Sequence, residues 1–447
     1  MKKYIFFVVG VMCTLLSHTA YAIDLNKSDA NIIGHVLEKK TGEHLPYMTV
    51  ALKGTTIGTM TDGTGHYFLK NLPEGEFTLS VSAVGYKPQE RKVTLKRGKT
   101  LEENFELEED MVALDGVVVT ANRNETARRL APTLVKVVTP KLFDMTNSHT
   151  LSQGLVFQPG VRVENDCQNC GYSQVRINGM DGKYTQILID SRPIFSALAG
   201  VYGLEQIPAN MIERVEVVRG GGSALFGSSA IAGTVNIITK EPLRNSGSFA
   251  HSISNFDGSG SFDNNTTLNL SLVSSDNKMG AYIYGQNRHR SAWDSNGDSF
   301  SELPKLKNQT VGVNAYYRLI PYSKLNLEYH HMEEFRRGGN RFDLPPHIAE
   351  DANLNGAGKP GLVEQIEHSI NTGGLKFSAF SKDQKHVFNA YASAQHIVRD
   401  SYYSAYGHTT DFTGVLGAQY IYHFDKLFFM PSDLTGGVEF NHDNLDD

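Results

Sequence analysis

Cys167 and Cys170 stand in the run Asn165-Asp166-Cys167-Gln168-Asn169-Cys170-Gly171. Two thiols at this spacing can close a disulfide, share a metal or cycle as a redox pair. A closed zinc site needs four ligands, and no histidine lies close in sequence. A redox pair normally opens a helix, whereas the surroundings here read as loop and strand. Glu43, His44 and His66 offer a carboxylate and two imidazoles, but they meet no metal-ligand spacing and read as separate loop residues. Asp351-Ala352-Asn353-Leu354-Asn355-Gly356 opens like a calcium loop, yet its twelfth position is Leu362 in place of Glu. Asp294-Ser295-Asn296-Gly297-Asp298 is a second incomplete match. Gly220-Gly221-Gly222-Ser223 lacks the Lys-Ser/Thr pair and following helix that a phosphate loop requires. No catalytic constellation emerges, so the chain reads as a protein without a catalytic site, with no cofactor or metal beyond the calcium option in its loops.

The chain has 447 residues, a formal net charge of −6, 40% hydrophobic and 20% charged residues. That length implies several domains. An acidic balance gives no footprint for nucleic acid. Lys2 and Lys3 precede the apolar run Tyr4 to Leu16, and Ala20-Tyr21-Ala22 fits a small-x-small cleavage site. Residues 1–22 therefore read as a signal peptide, with the mature chain starting near Ile23. Met12 before Cys13 argues against a lipoprotein. Export favours a structural disulfide between Cys167 and Cys170 that pins a loop. No later stretch is apolar for long enough to span a membrane as a helix. A periplasmic, secreted or β-barrel protein remains.

The elements that must carry these residues are mostly β. Residues 31–107 show about seven short alternating runs separated by turn signals, which predicts a β-sandwich. Residues 108–123 form an acidic linker followed by a β-branched run. Residues 124–240 end in two strand-like runs, Glu213–Arg219 and Gly233–Thr239, around the glycines at 220–222. From 241 to 447, runs of about ten residues alternate apolar and polar, as at Val311–Leu319 and Phe412–Phe424. That is the pattern of a membrane β-barrel. Short connections such as Pro321-Tyr322-Ser323 belong on its periplasmic side. Long polar ones, Glu333–Glu364 and His289–Lys307, belong outside.

The run Glu213-Arg214-Val215-Glu216-Val217-Val218-Arg219-Gly220, then Ser223-Ala224-Leu225-Phe226-Gly227, then Ala230 to Thr239, resembles the closing segment of the plug domain of TonB-dependent outer-membrane receptors. Gly221 replaces the family's usual Pro, and Phe226-Gly227 its Tyr-Gly. Leu151 to Val161, Val175 to Met180 and Ile187 to Pro193 resemble the plug's helix, turn and central strands, with Asp190-Ser191 at the usual Asp-Gly turn. Thr61 to Phe68 and Val84-Gly85-Tyr86 resemble a carboxypeptidase-regulatory-like domain of Bacteroidetes-type receptors. The resemblance implies an N-terminal sandwich, an α+β plug and an antiparallel transmembrane barrel. It implies that Asp115, Gly116, Val117, Val118, Val119, Thr120 and Ala121 form a TonB box. That segment would recruit the energy-coupling protein by strand addition, where backbone hydrogen bonds supply affinity.

The family closes its barrel with about twenty-two strands. About nine are counted here, and the expectation is an N-terminal portion of a longer receptor in the outer membrane. The resemblance further implies uptake of a scarce metal chelate (siderophore, haem or cobalamin), with calcium in extracellular loops as a cofactor option. TonB, membrane lipid and the chelate are the expected partners. Tyr184, Arg192, Phe195 and Tyr202 are the expected plug-apex contacts, since they fall in turns between strands. Arg176, Glu213, Arg214, Glu216 and Arg219 are expected to face a polar barrel wall. The rival readings are a surface adhesin without transport, a polysaccharide-type transporter, and an exported metal-dependent hydrolase built on the first domain.

Overall fold

The computed structural model describes residues 29–447 except 47, 63, 84–85, 110–116, 119, 121–125, 128–132, 168–171, 193–206, 223–225, 228–229, 351–360, 384 and 428–429. The signal-peptide segment lies outside the described residues, as do Phe195, Tyr202 and the Asp351–Gly356 loop.

Eight short strands come first: β1 (Ala30–Glu38), β2 (Thr49–Leu52), β3 (Gly58–Met60), β4 (His66–Leu72), β5 (Gly75–Ser82), β6 (Gln89–Leu95), β7 (Thr100–Glu102) and β8 (Phe105–Leu107). They form two sheets. One runs β4-β1-β7 with β8 also on β1, and the other runs β3-β2-β5-β6. Alternation sets the interior, because every second residue of a strand faces the same way. Ile32, Val36, Val50, Leu52, Leu69, Leu79, Val81 and Leu107 close one apolar core between the sheets.

Two two-residue strands follow, β9 (Val117–Val118) and β10 (Thr126–Ala127), paired with each other. The next unit is built on β11 (Val135–Val138), β12 (Val161–Cys167), β13 (Tyr172–Ile177), β14 (Thr185–Ile189), β15 (Ile212–Arg219) and β16 (Gly233–Thr239), with short helices α1 (Pro140–Met145) and α2 (Leu151–Leu155). The sheet order is β11-β15-β16-β14, and β12-β13 forms a separate hairpin. The strand pair read from the sequence is thus an antiparallel ladder, β15 on β16, from Arg219↔Gly233 to Ile212↔Thr239. Between its strands Gly220 takes φ 102°, a conformation that any side chain would strain.

The rest is one nine-stranded antiparallel meander: β17 (Ser246–Asn255), β18 (Phe262–Val273), β19 (Met279–Arg290), β20 (Lys305–Ile320), β21 (Ser323–Gly339), β22 (Val363–Phe380), β23 (His386–Tyr403), β24 (Tyr406–Leu427) and β25 (Met430–Asp446). A short helix α3 (Pro346–Ala349) lies in the loop between β21 and β22. The polarity of this sheet is inverted relative to a soluble one. On β20, Asn308, Thr310, Asn314 and Arg318 are buried, while Val311, Tyr317 and Leu319 are exposed. On β24, Thr409, Asp411 and Thr413 are buried, while Phe412, Leu416 and Tyr420 are exposed, Leu416 by 61%. Leu268, Leu270 and Leu272 of β18 repeat this exposure. A sheet with its leucines outward and its asparagines inward is stable only with hydrocarbon outside and a polar filling inside. A strand tilted in a bilayer needs only about 9–11 residues to cross. The 22 residues of β24 therefore extend beyond the apolar band. Among the described residues no helix is long and apolar enough to cross a membrane.

The sandwich sits at the short-turn end of this sheet. The Thr56 backbone N–H and hydroxyl both donate to the Pro321 carbonyl, at 3.0 and 3.2 Å. Tyr322 packs against the sandwich core.

Candidate functional site

The unit at 135–239 fills the polar concavity of the nine-stranded sheet, and the site of interest is the seam between them. Its apolar core (Leu151, Leu155, Ile177, Ile189, Val215, Val217, Val235, Ile237) extends onto Tyr282 and Tyr284 of β19. Around that contact the seam is polar and built from small groups. Tyr282 donates to the Asn210 carbonyl at 2.9 Å, and Asn210 donates to Asn269 Oδ1 and the Gly285 carbonyl. Asn314 donates to Thr239 Oγ1 at 2.9 Å and to the Lys240 carbonyl at 3.2 Å. Such bonds exchange readily for bonds to water, at a net cost of about 0.5–1.5 kcal/mol each. The seam can hold the unit in register and still let it slide.

One strong tether interrupts this pattern. Arg192 Nη2 lies 2.5 Å from Glu328 Oε2 of β21 and 3.8 Å from Asp190 Oδ2, with the arginine side chain 4% exposed. The tight turn at Asp190-Ser191 aims it. Asp190 and Ser191 take φ 47° and 66°, and the turn closes through the Ile189↔Arg192 bridge. Two successive left-handed residues make the turn that usually wants Asn-Gly or Asp-Gly. Ser191 tolerates it because its amide donates to Asn236 Oδ1 at 2.9 Å and its Oγ accepts from Asn236 Nδ2 at 3.0 Å. Asp190 accepts from the Thr239 amide and hydroxyl.

Arg192 is thus placed otherwise than the reading of a turn-borne apex contact supposed. It is buried against the sheet, near the end where the sandwich sits. Tyr184 lies at the opposite end of β14. It is half-buried, and its carbonyl accepts from the Ile231 and Ala232 amides at 3.1 and 2.8 Å. Phe195 and Tyr202 are outside the described residues. The charges expected to face the wall mostly pair within the plug unit instead. Arg176 meets Glu164 and Asp181, and Arg214 donates to Glu216. An unpaired buried charge is costly, and the nearest partner lies on the same small fold.

Glu216 has a second role. The Thr120 amide and hydroxyl donate to Glu216 Oε2 at 2.9 and 2.6 Å, and Asn236 Nδ2 donates to Thr120 Oγ1. Val118 is fully buried against Val135 and Val218. The segment read as a partner-recruiting strand is therefore docked on the plug sheet at Val118 and Thr120. Asp115, Gly116, Val119 and Ala121 lie outside the described residues, and Val117 is described in backbone only. Cys167 ends β12 and Cys170 lies outside the described residues, so their pairing does too.

His149 is a further titratable group on the seam. Its Nε2 and the Ser252 hydroxyl are 3.2 Å apart, and its carbonyl accepts from Gln286. Burial, and then the Arg288 guanidinium beside it, hold its pKa below the ordinary value, against an opposing pull from Asp263. The folded state therefore binds fewer protons than the unfolded one below about pH 6.5, and stability falls as pH drops through that value toward the folded pKa. The expected result is a lower unfolding midpoint at pH 5.5 than at 7.5, with a shallower pH dependence in His149→Asn.

The Asp294 loop gathers more carboxylates than its sequence spacing showed. Oxygens of Asp294, Asp298 and Glu302 lie within 4.8 Å of one another. Glu302 joins them because the Trp293↔Leu303 bridge zips the loop shut. Backbone amides already occupy them: Gly297 and Ser299 donate to Asp294, and Ser295 donates to Glu302.

Comparison with known proteins agrees with this arrangement. Residues 32–119 match the CarboxypepD_reg-like domain family, and residues 127–234 match the TonB-dependent Receptor Plug Domain. The vitamin B12 transporter BtuB of Vibrio vulnificus is 32% identical over 229 residues, 44% of this chain and 37% of that protein. The same transporter of Photobacterium profundum is 37% identical over 28% of this chain and 20% of its own length. Among solved structures, the siderophore receptor PirA of Acinetobacter baumannii superposes with a TM-score of 0.59 at 20% identity, over 72% of this chain and 49% of the receptor. The alcaligin outer-membrane receptor FauA of Bordetella pertussis gives 0.55 at 15% identity, over 74% and 50%. The chain spans about half the length of these receptors and less of the curated transporters. The chain thus carries, in one order, a CarboxypepD_reg-like domain at 32–119, a TonB-dependent Receptor Plug Domain at 127–234 and a sheet of barrel polarity, and it shares the fold of about half of a solved siderophore receptor.

Proposed function

We propose that this chain serves the energised uptake of a scarce metal chelate, of the cobalamin or ferric-siderophore class, across the outer membrane. One observation carries the reading: the plug sits inside a sheet whose polar face is turned inward, held among the described residues by small exchangeable hydrogen bonds and one buried ion pair. That seat suits a plug that must be displaced and then return. The segment 115–121 is the handle, and a periplasmic partner pairs with it as an added strand once Val118 and Thr120 leave the plug sheet. Tyr184, Phe195 and Tyr202 are the plug-side ligand contacts, while Arg192 holds the plug to the wall. The names of the similar proteins support the ligand class. They favour a compact chelate over an oligosaccharide.

The expected result is selective growth rescue. Cells deprived of their own receptors, and carrying the receptor that contains this chain, should grow on limiting cobalamin or on one ferric chelate. Rescue by oligosaccharide alone would favour the polysaccharide-type reading, and rescue by none of these would remove the transport assignment.

A further inference from the structure

The sequence sets His35, His44 and His66 apart, and the sandwich brings them together. His35 of β1 and His66 of β4 are directly opposed across an antiparallel ladder, so their side chains share a face. His44 joins β1 through the Leu37↔His44 bridge, supported by the Leu45 amide donating to the Val36 carbonyl at 2.8 Å. Gly65 lets it come so near: with φ 78°, a Cβ there would lie 2.8 Å from the Cβ of His44. The three ring centres form a triangle with sides of 5.0, 5.4 and 5.8 Å. A tetrahedral metal about 2.0–2.1 Å from each ring nitrogen would set the centres roughly 5 Å apart. The ring nitrogens do not all lie within 4.8 Å of one another as placed, but His44 is exposed and His35 half-exposed, so these two rings can turn about their side-chain bonds to aim their nitrogens toward His66.

The tautomer of His66 is fixed in the sense a ligand needs. The Thr64 hydroxyl donates its one proton to Asp62 Oδ1 at 2.7 Å. The contact of 3.1 Å between Thr64 Oγ1 and His66 Nδ1 must then run from Nδ1–H to the hydroxyl oxygen. Nε2 is left with a free lone pair. A carboxylate acting through a hydroxyl on the far nitrogen of an imidazole orients the ring and raises its basicity toward a metal. Asp62 is itself anchored by the Thr64 and His66 amides.

We infer that His35, His44 and His66 form a binding site on the sandwich for a divalent late first-row transition metal, zinc foremost. Three imidazoles select zinc, copper or nickel over calcium or magnesium, which want oxygen. Three protein ligands leave a fourth position for water or an exogenous donor. Bound metal would clamp the loop carrying His44 to β1 and β4.

The test is zinc binding to the detergent-solubilised full chain, titrated against a chromophoric chelator. The chain has 16 histidines, so the comparison with His44→Ala/His66→Ala is what counts. Both side chains are exposed and their loss leaves the sandwich core intact. The expected result is loss of one equivalent of zinc in the double variant and about 10–100-fold weaker binding in Thr64→Ala. X-ray absorption of the one-zinc protein should show imidazole nitrogens at about 2.0–2.1 Å. Equal stoichiometry and affinity in wild type and double variant would overturn the assignment. So would displacement of the zinc by equimolar magnesium.

Discussion

Replacing Val118 with Pro leaves chelate binding at the cell surface in place and reduces energised accumulation to the level of binding alone. Proline has no amide hydrogen and fixes φ, so a partner strand cannot pair through this residue. Val118→Ala separates the backbone effect from packing. It removes methyl groups from the contact with Val135 and Val218 but keeps the N–H, and uptake should persist. The docked position of the segment adds a magnitude. Release exposes one fully buried valine, about 1.5–3 kcal/mol, and gives up two charge-assisted bonds from Thr120 to Glu216, about 1.5–3 kcal/mol each. Strand addition by the partner has to offset that sum. Unchanged accumulation in Val118→Pro would show that the coupling does not run through this strand.

Arg192→Met is the second large effect. It leaves Glu328 buried without its guanidinium, and breaking one side of a buried pair costs about 3–5 kcal/mol. The hydrogen bonds described across the seam join neutral groups, so the loss falls on plug retention. The expected results are a lower denaturant midpoint and greater sensitivity of cells to large antibiotics normally excluded. The double variant Arg192→Met/Glu328→Met should recover most of the loss, because neither charge is then stranded. A double variant as unstable as the single one would mean that Arg192 acts through its packing alone.

The parts of this molecule that obey a short period were legible in its sequence. Period-two alternation located β15 and β16, and on β20 and β24 it distinguished an outward apolar face from an inward polar face. What escaped the sequence is pairing at a distance. Nothing around Arg192 names Glu328 as its partner, and a turn position reads as exposed until a wall is placed beside it. The charges of β15 read as wall contacts because alternation gives a face but not what lies opposite. Arg214 and Glu216 are on one strand and close on each other instead. Glu302 lay outside the calcium spacing because a hairpin zipper, not the loop register, delivers it. The three sandwich histidines escaped for the same reason: a cross-strand register and a bridge bring them together.

The central claim is that displacement of a seated plug is driven by energy delivered at residues 115–121. It is tested most directly by accumulation of radiolabelled cobalamin or ferric chelate in cells bearing the receptor, before and after a protonophore collapses the proton-motive force. The account predicts time-dependent accumulation that stops on collapse, while the fast surface-binding phase keeps its amplitude. Accumulation that continues at the same rate after collapse would contradict it.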